Sequence, residues 1–448
     1  MAHETTRLAR YAASLRYDDL PPEVVARARA CIVDTIAVVT LGRTLPWSQI
    51  VIRYAQSMGA GGPCRILGAE GPTVSAPAAA LANGAMAHAF ESDNLTRPGV
   101  GVHPGGTLLP AALAVAQETG AGGRALIAAV VAGFEVMYRI GAATGHSNER
   151  RGFHAPGTTG PFGAAVAAGH LLGLDAARMT NALGIAGSLA GGLMEFARSG
   201  TGAMVKRLHL GRASESGVMA ARLAADGFTG PVSVLEGEAG FLRVFCDEYD
   251  VSRLTHGLGF EFDTLKLCLK RFPVHMTAHT PVQAAVDLRA MHGFSGAAVD
   301  RVTVEGTERM ATINNIRAPS DMMMGQYSIP FCVALAMFRD PLDPASFDDA
   351  ALTDPGIRAL LERVQVTVAD PPLAGPAASR LTVVLKDGRT FTHTVEDYEG
   401  TPNRPLSEAG LRERFATLTR SRHGAAAEAM FDRLRALDTE TDLRWIGA

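Results

Sequence analysis

Residues 160–174 read GPFGAAVAAGHLLGL, and two other stretches share that texture: APAAALANGAMAHAF at 76–90 and ESGVMAARLAADG at 215–227. Glycine costs a helix roughly 1 kcal/mol against alanine. Helical segments that accept so many small residues, with so few charges, are expected to approach one another closely inside a buried bundle. Gly120, Gly173 and Gly227 each follow an apolar run, where a left-handed C-terminal stop would fall. Residues 5–60 also read as helices. Val24, Val25, Ala28, Cys31, Ile32, Thr35 and Ile36 recur near one face behind a pair of prolines. The fold class is therefore expected to be mainly α, with a large all-helical domain over 1–262.

The texture changes after about residue 262. DRVTVEGTE alternates like a strand, and ALLERVQVTVAD reads as a helix end followed by another strand. RLTVVLKDGRTFTHTVED is two alternating runs around Asp387-Gly388, a strong hairpin signal. TPVQAAVDLRAMHG and SIPFCVALAMFRD lie between these as helices, and PPLAGPAAS reads as a plain loop. The expectation is a smaller α+β lid domain over 263–398. A helical tail, 399–448, then returns to the first domain.

A chain of 448 residues is long for one core, which agrees with more than one domain. A formal net charge of −3, with both signs interspersed, gives no nucleic-acid footprint. Cys31, Cys64, Cys246, Cys268 and Cys332 lie far apart without a C-x-x-C pair, so neither a disulfide framework nor a cysteine metal site is signalled. The start of the chain has no apolar signal core. The apolar run ALIAAVVAGFEVMYRI is interrupted by Glu135 and Arg139 and reads as too short to span a bilayer. A cytoplasmic protein away from membranes is expected.

Against this apolar background five polar islands stand out. The loop AHAFESDNLTRPGVGVHPGG, 87–106, carries Glu91, Asp93, Asn94, Arg97 and His103. RRGFHAPGTTGPFG carries His154, and GAMVKRLHLGRASESG carries Lys206, Arg207, His209 and Arg212. KRFPVHMTAHTPVQAA carries Lys270, Arg271, His275 and His279, and MGQYSIPFCVALA carries Gln326, Tyr327 and Ser328. Singly, each has a bland reading as a hydrogen-bonded core histidine or a solvated cation. His275 and His279 are four residues apart and would share a helix face as metal ligands, but no third ligand with motif spacing accompanies them. GAGGRA and GTGAMVK only faintly resemble phosphate loops and miss the required spacing. Together the islands suit one task. Lys206, Arg212 and Lys270 would hold carboxylates, Asp93 and the histidines would move protons, and the cations would stabilise enolate charge.

These stretches resemble the MmgE/PrpD family, which includes 2-methylcitrate dehydratase, cis-aconitate decarboxylase and iminodisuccinate epimerase. The likeness runs from LPPEVVARARACIVDTIAV through NGAMAHAFESDN and HPGG, GFHAPGTTGPFGAA and KRLHLGRASESGVMAARLAADGFTGP to KRFPVHMTAHTP and QYSIPFCVALA. The resemblance implies a helical domain with an α+β lid, a homodimer, no cofactor or metal, and an active site between the domains. Family active-site positions fall on Asp93, His103, His154, Lys206, Lys270 and His279. The chain departs from the family pattern at Asn94, where a second Asp is frequent, at His275, at Phe331, and at Val102 before His103.

The function expected is a cofactor-independent lyase, a dehydratase or decarboxylase, that abstracts a proton next to a carboxylate of a small di- or tricarboxylic acid. Asp93, His103, His154 and Lys206 are the expected catalytic groups. Arg97, His209, Arg212, Lys270, His275 and His279 are the expected substrate-binding groups. An epimerase working through the same carbanion is the alternative enzyme, and an inactive helical scaffold is the non-enzymatic one.

Overall fold

The computed structural model describes residues 3–197 and 204–447. The chain is mainly helical, at 59%. It divides into two compact units. The first comprises Met1–Ala89, Asp93–Cys268 and Glu408–Ala448, and the second Phe90–Ser92 and Leu269–Ser407.

In the first unit the helices Ala76–Ala87, Pro104–Thr119, Gly123–Thr144, Ala155–Leu171 and Val205–Ala225 pack on one another. From Ala155 to Gly169 every residue is buried, so this part of the helix has no solvent face and no amphipathic stripe. Its small side chains act by letting backbones meet. A Cβ at Gly84 would stand 2.7 Å from the Gly106 carbonyl oxygen and 2.9 Å from the Gly211 Cα. Three helices meet there at van der Waals distance, and dispersion between their backbones replaces the contacts of larger side chains. The stops fall where the glycines predict: Gly120 is a left-handed C-cap, and Gly173 and Gly227 also have positive φ.

The apolar run ending near Ile140 belongs to a longer helix than its sequence indicates. Gly123–Thr144 has 22 residues, long and apolar enough to match a membrane span. It is a core helix instead, with 89% of its apolar stretch buried inside the protein. Its two charges are consumed internally. Arg139 donates to the Glu135 carboxylate at 2.5 Å and pairs with Asp263 at 2.6 Å. Glu135 also accepts from the Asp263 and Thr264 backbone N–H groups and from the Thr264 hydroxyl. This strut fixes the segment leading into Leu267–Cys268, which pairs antiparallel with Leu95–Thr96.

The second unit holds a four-stranded mixed sheet in the order Val364–Val368, Val299–Gly306, Ser379–Leu385, Thr390–Val395. The first pair is parallel, with Val302 opposite Val364; the other two are antiparallel. Ser379–Leu385 alternates buried and half-buried residues, the period expected of a strand with one covered face. Asp387-Gly388 makes the hairpin turn, with Gly388 at φ 88°. The His279–His292 helix covers the last two strands, and Ile329–Phe338 packs beside it with Phe331 buried.

Candidate functional site

In the first unit, several helix ends bring the polar islands together. His88 ends the Ala76–Ala87 helix, His103 is the N-cap of Pro104–Thr119, and His154 is the N-cap of Ala155–Leu171. Lys206 and His209 occupy the first turns of Val205–Ala225. Asp93 lies between two imidazoles. His88 Nδ1 is 2.9 Å from Oδ1, and His103 Nδ1 is 2.8 Å from Oδ2. The His88 ring stands 5.3 Å from His103 and 6.2 Å from His154, centre to centre. His154 and His209 then meet Nδ1 to Nδ1 at 3.1 Å. Asp93, His103, His154, Lys206 and His209 are thus one cluster, as their chemistry requires.

The electrostatics divide this cluster in two. Burial alone would raise the Asp93 carboxyl, but the His88 and His103 imidazoles outweigh it and hold the group well below the usual carboxylate range. Asp93 is therefore a fixed anion. Its place between two imidazoles suits it to orient histidines. With an anion on the other side, His103 Nδ1 must be the donor, which leaves Nε2 for other contacts. Because His103 is 21% exposed while His88 and Asp93 are buried, it is the member that a solute can reach. On the other flank, burial and then the Lys206 charge push His154 well below the ordinary imidazole value, and His209 is lowered for the same two reasons. Those two rings are neutral.

Ligand atoms of His88, Asp93 and His103 all lie within 4.8 Å of one another, a donor set that a divalent ion would accept. Their spacing fits protons better. A tetrahedral zinc with bonds of about 2.0–2.1 Å sets neighbouring ligand atoms roughly 3.3 Å apart. The 2.8 Å separation of His103 Nδ1 and Asp93 Oδ2 is an N–H···O hydrogen bond, and the 2.9 Å separation of His88 Nδ1 and Asp93 Oδ1 is an ion-pair contact.

The other expected residues are placed as follows. Arg212 is half-exposed, pairs with Glu215, and lines a pocket of about 480 Å3 together with His209, Gly157, Gly192 and Phe196. Arg97 fastens the loop by its backbone, donating to the Lys266 carbonyl at 2.9 Å. Arg207 is buried with its guanidinium over the Trp47 ring. Residues 200–203 of the GTGAMVK turn lie outside the described residues.

In the second unit Lys270 is buried and bonds to Glu91, at 2.9 Å to its carbonyl and 3.1 Å to its carboxylate. Glu91 takes a left-handed backbone, φ 53°, two residues before Asp93 in the chain, a conformation that costs a non-glycine residue about 1–2 kcal/mol. His275 and His279 do not share a helix face. His275 is extended, caps a 3-10 turn by accepting from Thr277 N–H, and packs its ring on Tyr327 at 4.5 Å. His279 begins the next helix, donates from Nδ1 to the His275 carbonyl, and lies 4.3 Å from the Tyr398 ring. Because His275 lies outside the helix that begins at His279, the paired-ligand geometry that the spacing suggested is absent.

His88 is the site residue that the sequence reading missed. A single histidine among alanines at a helix end carries little signal; what marks it is Asp93 five residues later, on a loop that must turn back.

The fold and the site define a mainly helical protein with a buried aspartate–imidazole cluster at helix N-termini. The MmgE/PrpD N-terminal domain matches residues 6–254 and the MmgE/PrpD C-terminal domain residues 272–438. The chain belongs to the MmgE/PrpD family. It is 29% identical over 420 residues to a human cis-aconitate decarboxylase, covering 90% of this chain and 84% of that protein. It is 28% identical to the cis-aconitate decarboxylase of Aspergillus terreus, covering 98% of this chain and 94% of the other. A cis-aconitate decarboxylase-like protein of Aspergillus oryzae is also 28% identical, covering 93% and 90%.

Proposed function

We propose that the protein is a cofactor-independent lyase of a small polycarboxylate, with decarboxylation of cis-aconitate or a close analogue as the leading reaction. The observation that carries this reading is the convergence of three helix N-termini, at His103, His154 and Lys206, on one cluster containing a fixed Asp93 anion. Helix N-termini and a buried ammonium favour anionic groups. The Asp93–His103 pair supplies a proton-transfer group whose orientation is set. The names of the relatives support the same class.

The chemistry asks for little more. When CO2 leaves the CH2–carboxylate of cis-aconitate, the breaking C–C pair forms a new C=C bond. The former π pair then takes a proton on the carbon beside a remaining carboxylate. Protonated at Nε2, His103 delivers that proton, and Asp93 stabilises the imidazolium beforehand. Lys206 would hold a carboxylate that stays, with His154 and His209 as neutral hydrogen-bonding partners. We also propose that the 263–398 segment acts as a lid that brings Lys270 and His279 to the substrate.

The test is a panel of cis-aconitate, citrate, 2-methylcitrate and iminodisuccinate, followed by CO2 release and ultraviolet absorbance. CO2 from cis-aconitate is the expected result. Solvent-deuterium exchange without an absorbance change would replace the lyase with an epimerase, and silence across the panel would remove the assignment.

A further inference from the structure

We propose that Asn94, a buried residue, is a positioning residue that sets the tautomer and aim of His103 through a cross-brace between the two ends of the 93–105 loop. Its Oδ1 accepts from the Gly105 backbone N–H at 2.8 Å, and its Nδ2 donates to Thr35 Oγ1 at 2.9 Å and to Asp34 Oδ2 at 3.2 Å. Because a backbone N–H can only donate, this amide orientation is the one that satisfies all three contacts. Asp34 in turn accepts from Arg414 Nε at 2.7 Å, so a residue of the Glu408–His423 helix anchors the far end.

The position in the chain gives the brace its effect. Asn94 directly follows Asp93, and Gly105 lies two residues beyond His103. One hydrogen bond therefore ties the carboxylate to the imidazole that it orients, across a loop with glycines at 99 and 101. Gly105 is shaped for the amide. A Cβ there would fall 2.7 Å from Asn94 Nδ2, 2.8 Å from Oδ1 and 2.6 Å from Thr35 Oγ1. The amide also has an electrostatic reason to be neutral. A carboxylate in its place would face Asp34, whose own carboxyl burial already pushes up, with Asp93 close behind. The charged and titratable groups around this point are Asp34 and Cys31 from Pro22–Gly42, Arg414 from Glu408–His423, Asp93 on the loop and His103 at the next helix.

The test reads the imidazole directly. In protein labelled with 15N in its histidine rings, the His103 signals are assigned by their loss in His103→Gln. The wild type should show His103 as one tautomer, protonated at Nδ1. Asn94→Ala should give a mixture of tautomers. In Asn94→Asp the two facing carboxylates share a proton at lower pH and keep the brace. As pH rises they lose that proton and repel each other, so tautomer mixing should appear at higher pH. Adding Asp34→Asn removes the like charge and should restore the single tautomer there, which also covers the case in which Asn94→Ala does not fold. A His103 signal unchanged at every pH in Asn94→Ala and Asn94→Asp would overturn the proposal, even with a lowered melting temperature.

A second arm rests on the proposed activity: Asn94→Ala should lower kcat on cis-aconitate about tenfold with KM nearly unchanged, as for small misplacements of a reacting group. If the wild type turns over nothing, the functional reading fails while the tautomer arm still decides this one.

Discussion

The first unit buries two charged clusters of opposite design. At Glu135, Arg139 and Asp263, a guanidinium that never deprotonates meets two carboxylates; Thr264 and the Asp263 backbone donate to Glu135, and Lys266 pairs with Asp263. Burial pushes the Glu135 carboxyl up, and Arg139 followed by Thr264 pulls against it. At His88, Asp93 and His103, the carboxylate is just as buried, but its partners are imidazoles. The first cluster reaches solvent through Lys266, an ammonium that pairs with Asp263 at 2.6 Å and is held charged by it; no imidazole belongs to it among the described residues. The second reaches solvent through the His103 imidazole. Burial and pairing are common to both, so neither alone marks a functional site; an imidazole partner that solvent reaches does.

The largest expected effect breaks the first cluster. Arg139→Met leaves two buried carboxylates facing each other and should lower stability by about 3–5 kcal/mol. Urea unfolding would measure it; a loss under about 1 kcal/mol would mean that the strut is ornamental. The corresponding change in the second cluster should act on turnover. Asp93→Asn and His103→Ala should each lower kcat by about 10²-fold or more while the fold persists. Near-normal kcat in both would shift the proton transfer to His154 or Lys206. Lys206→Met should come next, raising KM or abolishing turnover while the fold persists, because its ammonium would hold a carboxylate. Unchanged kinetics would remove it from the site.

The pH dependence of stability sharpens the contrast further. His154 and His209 are neutral in the fold with lowered pKa values, whereas the unfolded chain takes up protons below about 6.5. Stability should therefore fall as pH drops below about 6.5, because the unfolded state binds more protons there. Asp93 works in the same direction only at lower pH: its contribution is present above about 3.9 and is lost as pH falls through its depressed folded value. Melting curves from pH 8 to 5 should be shallower for His154→Phe than for the wild type. Equal slopes would mean that His154 is not buried neutral. The smallest effect lies in the other unit: Gly388→Ala, at φ 88°, should cost the hairpin about 1 kcal/mol without moving kcat.

What the sequence discloses follows from how local each cause is. The Asp387-Gly388 hairpin, the strand at Val299–Gly306 and the glycine helix stops depend on short-range periodicity and backbone preference, and they appear as read. The meeting of Asp93 with His103 is also local, ten residues apart on one loop. His88 was hidden because its partner sits across a turn, and Asp34 because its link to Asn94 spans 60 residues. The length of the Gly123–Thr144 helix was misjudged because Glu135 and Arg139 looked like interruptions, whereas their partner, Asp263, lies more than a hundred residues on. Spacing likewise misled at His275 and His279, since an i,i+4 interval means a shared face only inside a continuous helix.

The glycine contact joining three helices at Gly84, Gly106 and Gly211 has a consequence for how this protein can change over generations. Every substitution at those positions adds volume where none is free, so the scaffold around the histidines is closed to gradual drift. New substrate preferences would have to be found in the loops, along 97–101 and around Leu189–Phe196, where side chains can be exchanged without parting the helices. A mutant library confined to those segments should therefore yield far more folded variants than one spread across the bundle.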